Sequence, residues 1–149
     1  MLLKLNFVLG IFATYPNTKL SVFGGFFDQV IGTALLVLVV MALSDKKNAE
    51  IPHGVAAILV GFTITVIGLA FGFNCGYAVN PTRDFAPRLF TLIAGWGGQV
   101  FSANNYFFWV PIVGPMVGSV VAVFIYSIFI SNNSLSSCSL SLRIASIKV

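Results

Sequence analysis

The chain has 149 residues, of which 58% are hydrophobic and 8% are charged, and its formal net charge is +4. A soluble domain carries about a quarter charged residues, so this composition excludes the ordinary soluble classes and indicates a membrane protein. The basic residues are scattered and stand mostly at the ends of apolar segments. The positive charge therefore favours membrane flanking and gives no support for a nucleic-acid partner.

The first residues, 1–13, bear a weak similarity to a signal peptide. Their apolar run is short, Asn6 interrupts it, and no small-x-small cleavage site follows. We favour an ordinary loop or a shortened segment here, and the signal peptide stays as the alternative.

Three apolar stretches are long enough to cross a bilayer, which needs roughly 20 apolar residues in a helix. They cover residues 26–43, 55–73 and 106–130. The third begins with an aromatic cluster, Phe107 to Trp109, of the kind found at membrane interfaces. Gly114 and Gly118 are four residues apart in the same stretch, which predicts close packing against another helix. Residues 131–149 are rich in serine and predict a disordered tail.

A polar segment, Gly-Tyr-Ala-Val-Asn-Pro-Thr-Arg-Asp at 76–84, lies between the second and third apolar stretches. Asn80 is a favoured helix N-cap and Pro81 a favoured first helical residue. The helix predicted from there, about 80–94, is too short to cross a bilayer. Non-helical backbone at membrane depth is tolerated only where protein buries it or where it lines a watery cavity. The segment therefore predicts a re-entrant half-helix beside a pore.

This segment resembles the second Asn-Pro-Ala loop of the aquaporin family, and more narrowly that of its aquaglyceroporin branch. The similarity is closest over Gly-Tyr-Ala-Val-Asn-Pro-Thr-Arg-Asp-Phe-Ala-Pro-Arg-Leu-Phe, residues 76–90, and runs from Gly-Ile-Phe-Ala-Thr-Tyr-Pro at 10–16 to about residue 130. The resemblance implies an all-α membrane protein with an aquaporin-like half, three transmembrane helices plus one re-entrant half-helix. Residues 1–130 would be the second of the family's two inverted repeats. The first Asn-Pro-Ala loop and three earlier spans have no counterpart, which we interpret as a truncated product or an incomplete gene model.

The resemblance also implies which residues line the pore. The candidates for the pore and its selectivity filter are Asn80, Pro81, Thr82, Arg83, Tyr77 and Gly68. Arg83 is expected to offer fixed donors to solute oxygens, with an ion pair to Asp84 as the structural alternative. Gly68 is expected to leave room in the filter, and Tyr77 to present an apolar face. Thr82 stands where the family usually has alanine, and its branched hydroxyl is expected to narrow or tilt the junction.

Further residues stand where the aquaglyceroporin branch differs from its water-only relatives: Tyr15, Asp84, Arg88, Pro111 and Ile112. Gln29 corresponds to a buried family carboxylate that hydrogen-bonds loop backbone, so we assign it a structural role. Cys75 and Cys138 have no CxxC or metal-ligand spacing, which favours two free thiols.

The function implied by the resemblance is passive conduction of glycerol, other small uncharged solutes and water. The alternative is a non-conducting half-channel that associates with full-length relatives. An enzyme is not expected, because the chain has one histidine and no nucleophile with a neighbouring base. We expect no cofactor, no metal and no nucleic acid. The expected partners are membrane lipid, the permeating solutes, and relatives in a homo- or hetero-tetramer in the plasma membrane.

Overall fold

The computed structural model describes residues 10–48 and 51–131, and within these ranges it consists of helices and loops. Apart from Ser131, the predicted tail at 131–149 lies outside the described residues. The same holds for most of the 1–13 segment.

The first two predicted spans are continuous helices, α1 (Val22–Ser44) and α2 (His53–Cys75), of 23 residues each. At 1.5 Å per residue each is about 35 Å long, which is enough for the roughly 30 Å hydrocarbon core. Both extend the predicted limits, 26–43 and 55–73, by one to four residues at each end. α1 starts there because the Ser21 side chain accepts a hydrogen bond from the third residue of the helix.

The half-helix is α3 (Pro81–Thr91), which has 11 residues and so covers only about half of a bilayer core. A π-helical turn, Leu92–Trp96, extends it, and Gly95 breaks the helical geometry there with a φ of 95°. The re-entrant element therefore starts one residue later and ends two residues later than the predicted range of about 80–94.

The third span has several parts. They are α4 (Gln99–Tyr106), a 3₁₀ turn (Phe107–Trp109), α5 (Val110–Ile125) and a π-helical end (Tyr126–Ser131). Asn104, Asn105 and Tyr106 have positive φ values of 54°, 57° and 59°, which interrupts the helix. The predicted span 106–130 therefore corresponds to the part after this break, and α4 was not predicted.

The helices pack around α1, which lies mainly against α5 and to a smaller extent against α2. The close approach depends on two glycines of α5. A Cβ atom on Gly118 would lie 2.5 Å from the Val30 carbonyl oxygen, and one on Gly114 would lie 2.7 Å from Cβ of Gln29. This confirms the packing predicted for Gly114 and Gly118. In the described part of the chain, three helices are long and apolar enough to cross a membrane.

Candidate functional site

The amino end of α3 has the cap that the sequence predicts. Asn80 has extended backbone, and its side-chain oxygen accepts a 2.9 Å hydrogen bond from the Thr82 N–H. Pro81 occupies the first helical position, where its missing N–H leaves no partner unsatisfied. The side chains of Asn80, Thr82 and Arg83 are exposed. The positive end of the α3 dipole therefore points at an accessible polar surface in an otherwise apolar chain.

The loop that leads to this cap has left-handed backbone at three of its four residues. The φ values are 76° at Gly76, 39° at Tyr77 and 40° at Val79. Glycine adopts such values at little cost, whereas tyrosine and the β-branched valine do not. Nothing in the amino-acid sequence predicted left-handed backbone at Tyr77 and Val79, since neither residue type favours it.

Arg83 contacts the same loop. One of its terminal guanidinium nitrogens donates to the Gly76 carbonyl over 3.3 Å, and its guanidinium carbon lies 5.0 Å from the centre of the Tyr77 ring. The alternative ion pair with Asp84 is wrong, because Asp84 is fully buried and pairs with Arg88. Adjacent helical residues lie about 100° apart around the axis, so Arg83 and Asp84 occupy different faces of α3.

Gly68 lies directly behind the Tyr77 ring. A Cβ atom at Gly68 would lie 2.9 Å from Cζ of Tyr77, and one at Gly72 would lie 3.2 Å from Cδ1 of the same ring. The room that Gly68 leaves is therefore filled by Tyr77. The two residues act together, because the glycine determines how far the ring can withdraw into α2.

A cavity of about 330 Å³ collects most of the predicted pore residues. Tyr77, Asn80, Pro81 and Arg83 line it, together with residues of α1, α2 and α5. Asn80 and Arg83 line the cavity and are nevertheless exposed, so the cavity is open at these residues. Thr82 does not line this cavity. It borders a second hollow of about 320 Å³, which it shares with Ile112, so the expected narrowing of the junction by Thr82 has no support here.

Three of the five branch-discriminating residues form one buried cluster on the opposite face of α3. Nε of Arg88 lies 2.5 Å from Oδ2 of Asp84, and the Arg88 guanidinium carbon lies 4.3 Å from the centre of the Tyr15 ring. Another Arg88 nitrogen donates to the Val100 carbonyl over 2.7 Å, and Asp84 accepts from the N–H and hydroxyl of Thr14. This cluster connects α3 to the segments before α1 and at the start of α4.

The cluster has electrostatic consequences for Tyr15, which lies outside the spanning helices. Burial raises the pKa of its hydroxyl, while the nearby Arg88 guanidinium acts in the opposite direction. The remaining two discriminating residues, Pro111 and Ile112, lie apart from the cluster at the start of α5. The spacing of four between Asp84 and Arg88 is the sequence signal that could have predicted this pair.

Gln29 has the structural role expected of it. It is fully buried on α1, and its side-chain oxygen accepts a 2.8 Å hydrogen bond from the Val79 N–H. Its amide nitrogen donates to the Cys75 sulfur, which in turn contacts Asp28. Sequence reasoning did not connect Asp28 and Cys75 to the loop. In residues 10–48 and 51–131, no cluster of His, Cys, Asp or Glu could hold a metal ion.

Comparison with known proteins identifies the family. A family model described as "MIP: Major intrinsic protein" matches residues 2–126 of the chain. The chain is a member of the major intrinsic protein family. This family consists of membrane channels, which confirms that the chain is an integral membrane protein and not an enzyme.

The amino-acid sequence of the chain is also similar to those of individual proteins. It is 50% identical to Aquaporin-9 of Mus musculus over 120 residues, which are 80% of this chain and 41% of that protein. It is 47% identical to Aquaporin-10 of Homo sapiens over 121 residues, 81% of this chain and 40% of that protein. The chain thus spans about two fifths of the length of these curated relatives.

The fold is similar to that of a solved structure, the aquaglyceroporin from Plasmodium falciparum. The TM-score is 0.78 at 38% sequence identity, over 83% of this chain and 51% of that one. Together with the three long apolar helices, this similarity confirms the predicted fold class.

Proposed function

We propose that this chain contributes one wall of a passive membrane channel for glycerol, other small uncharged solutes and water. The observation that carries the proposal is the exposed polar tip of α3, where Asn80 and Arg83 line a cavity beside the Tyr77 ring. The name aquaglyceroporin of the similar Plasmodium falciparum protein supports glycerol as a solute.

The electrostatics of this tip favour neutral solutes. The N-terminus of a helix carries roughly half a positive charge, and Arg83 adds a full one close by. Cations and protons are repelled by both, whereas an uncharged polyol or water is not. Aquaporin-type pores in general combine a narrow diameter, lining donors and the positive ends of half-helices to this effect.

The chemistry of the side chains fits a polyol. Arg83 has five N–H donors, and one of them donates a hydrogen bond to the Gly76 carbonyl. Its remaining donors are available for the hydroxyl oxygens of a solute. The Arg83 guanidinium lies over the Tyr77 ring, so a solute whose hydroxyls reach Arg83 passes the apolar edge of this ring.

A closed conduit needs a further wall. Exposed polar groups such as Asn80 and Arg83 would otherwise meet lipid, which is costly at membrane depth. We propose that a second copy of the chain, in the opposite orientation, supplies that wall. We also propose that the chain associates with relatives in a homo- or hetero-tetramer in the plasma membrane. The exposed face of α3 supports this part of the proposal.

Stopped-flow swelling of proteoliposomes in a glycerol gradient tests the channel. We expect a glycerol permeability well above that of empty vesicles, which Arg83→Trp abolishes by filling the cavity. Phe62→Trp is the matched control, because Phe62 is an exposed residue of α2 that does not line this cavity. Rates equal to those of empty vesicles would rule out conduction by the chain alone.

The second candidate function is association with full-length relatives without conduction. The same exposed wall of Asn80, Thr82 and Arg83 favours it, because such a surface is stabilised by a protein partner. Co-reconstitution with a full-length relative separates the two functions. A non-conducting partner lowers the relative's permeability as its share of the protein rises, whereas an independent channel adds to it.

A further inference from the structure

The backbone of Val79, directly before Asn80, requires an explanation. Its φ of 40° is a left-handed value that β-branched residues rarely adopt. Such a conformation persists only where the surroundings determine it. The contacts that hold Val79 therefore also hold the position of the Asn80 cap.

Two contacts from α1 reach Val79. Its N–H donates to Oε1 of Gln29 over 2.8 Å. Its side chain lies against Gly32, where a Cβ atom would come within 3.1 Å of Cγ1 of Val79. The hydrogen bond is directional, because only the oxygen end of the Gln29 amide accepts from an N–H.

The orientation of the Gln29 amide is determined by Cys75. Nε2 of Gln29 donates to the Cys75 sulfur over 3.0 Å, so the oxygen end of the amide faces Val79. A flipped amide would place two N–H donors against the Val79 N–H and lose both hydrogen bonds.

The Cys75 thiol is in turn oriented by Asp28. The sulfur donates its proton to Oδ2 of Asp28 over 3.0 Å, which leaves its lone pairs for Gln29. Oδ1 of Asp28 accepts from the Asn74 side chain over 2.7 Å. Cys75 is 1% exposed and Asp28 8%, so water is a poor competitor for these hydrogen bonds.

We propose that Asp28 and Cys75 are positioning residues for the loop before Asn80. Asp28 accepts a hydrogen bond from the thiol S–H, the thiol sulfur accepts one from the Gln29 amide nitrogen and so orients the amide, and the amide oxygen accepts one from the N–H of the left-handed Val79. The effect on permeation rests on the proposed function, whereas the effect on the loop backbone does not.

The S–H stretching band in the infrared spectrum tests the thiol directly. In the full chain with Cys138→Ser, Cys75 is the only thiol. We expect Asp28→Asn to move this band to higher frequency, since a neutral amide is a weaker acceptor than a carboxylate. Asp45→Asn, at the other end of α1, is the matched control and leaves the band in place. An unmoved band in Asp28→Asn would overturn the proposal.

Hydrogen exchange at the Val79 amide tests the relay as a whole. We expect Cys75→Ala to accelerate exchange about tenfold, which corresponds to the loss of about one hydrogen bond's net stabilisation. Cys75→Ser restores most of the protection, because a hydroxyl also donates and accepts. Thr65→Ala is the control, since this exposed hydroxyl of α2 bonds only within its own helix. Equal exchange in the alanine and serine variants would contradict the proposal.

Permeability measurements separate this inference from the proposed function. If the parent chain conducts, Cys75→Ala lowers its glycerol-to-water permeability ratio and Cys75→Ser restores it. A ratio that stays constant while exchange changes would overturn the positioning role. If the parent does not conduct but the band and the exchange respond as stated, the relay stands and the proposed function fails. Where Cys75→Ala does not fold, Asp28→Asn decides through the infrared band.

Discussion

The Asp84 carboxylate and the Arg88 guanidinium form an ion pair of 2.5 Å in which neither side chain has any solvent exposure. Tyr15 lies over the guanidinium, and Thr14 donates to the carboxylate. Three residues that the resemblance sets apart as discriminating the aquaglyceroporin branch thus belong to one cluster behind the half-helix. Their position indicates that they hold α3 in place, while Arg83, the residue that we propose to meet the solute, lies on another face.

Arg88→Met is expected to destabilise the protein by about 3–5 kcal/mol, because it leaves the Asp84 carboxylate buried without its partner. Arg83→Met on the same helix is the control and is expected to change stability by less than about 0.5 kcal/mol, since Arg83 is exposed. Thermal unfolding in detergent measures both. An equal loss of stability in the two variants would show that the Asp84–Arg88 ion pair does not hold α3 in place.

Asn80→Asp is expected to weaken the exclusion of cations and protons in any conducting assembly. The carboxylate still caps α3, but its charge opposes the positive end of the helix. Asn80→Ser keeps a neutral cap and is the control. Proton leakage into proteoliposomes that contain a pH-sensitive dye measures the effect, and equal leakage in both variants would contradict this account of ion exclusion.

Gly68→Ala is expected to push the Tyr77 ring towards the cavity and to cost about 1–3 kcal/mol, because its Cβ would lie 2.9 Å from the ring. Gly61→Ala is the matched control on α2, since a Cβ atom there meets nothing within 4 Å. Gly68→Phe, which adds much more volume, is expected to block glycerol before water. Thermal unfolding measures the loss of stability in Gly68→Ala, and stopped-flow swelling measures the permeabilities of Gly68→Phe. If glycerol and water permeability fell equally, the filter would lie elsewhere.

Acid is expected to loosen the loop after α1. The Lys47 backbone N–H and the Tyr126 hydroxyl donate to Asp45, which lowers the pKa of this carboxyl. A group whose pKa is lower in the folded state stabilises the fold fully above its unfolded-state pKa, which is about 3.9 for an aspartate. This stabilisation is lost as the pH falls through the folded-state pKa. The protection factor of the Lys47 amide, which is its exchange relative to the intrinsic rate at the same pH, should therefore fall below about pH 4. Asp45→Asn removes this pH dependence, and a dependence that survives in it would point to another group.

Local features of this chain followed from the amino-acid sequence alone. The three spans are apolar over a bilayer's length, and Asn80–Pro81 is a cap signal that acts within one helical turn, so neither needs distant residues. At the third span, the sequence analysis missed α4 and did not show that the helix is interrupted. Three left-handed residues before Phe107 break it. Asparagine adopts this conformation more readily than most residues, so Asn104 and Asn105 permit the break, whereas Tyr106 gives no such signal.

Only the tertiary structure decided which polar groups meet. Arg83 and Arg88 have the same charge on the same short helix, yet one lies beside Tyr77 and the other is buried against Asp84. Cys75 looked like an isolated thiol until the packing of α2 against α1 placed it between Asp28 and Gln29. Caps and spans depend on neighbours in sequence, whereas the contacts of Cys75 with Asp28 and Gln29 join residues more than forty positions apart, so helix packing determines them.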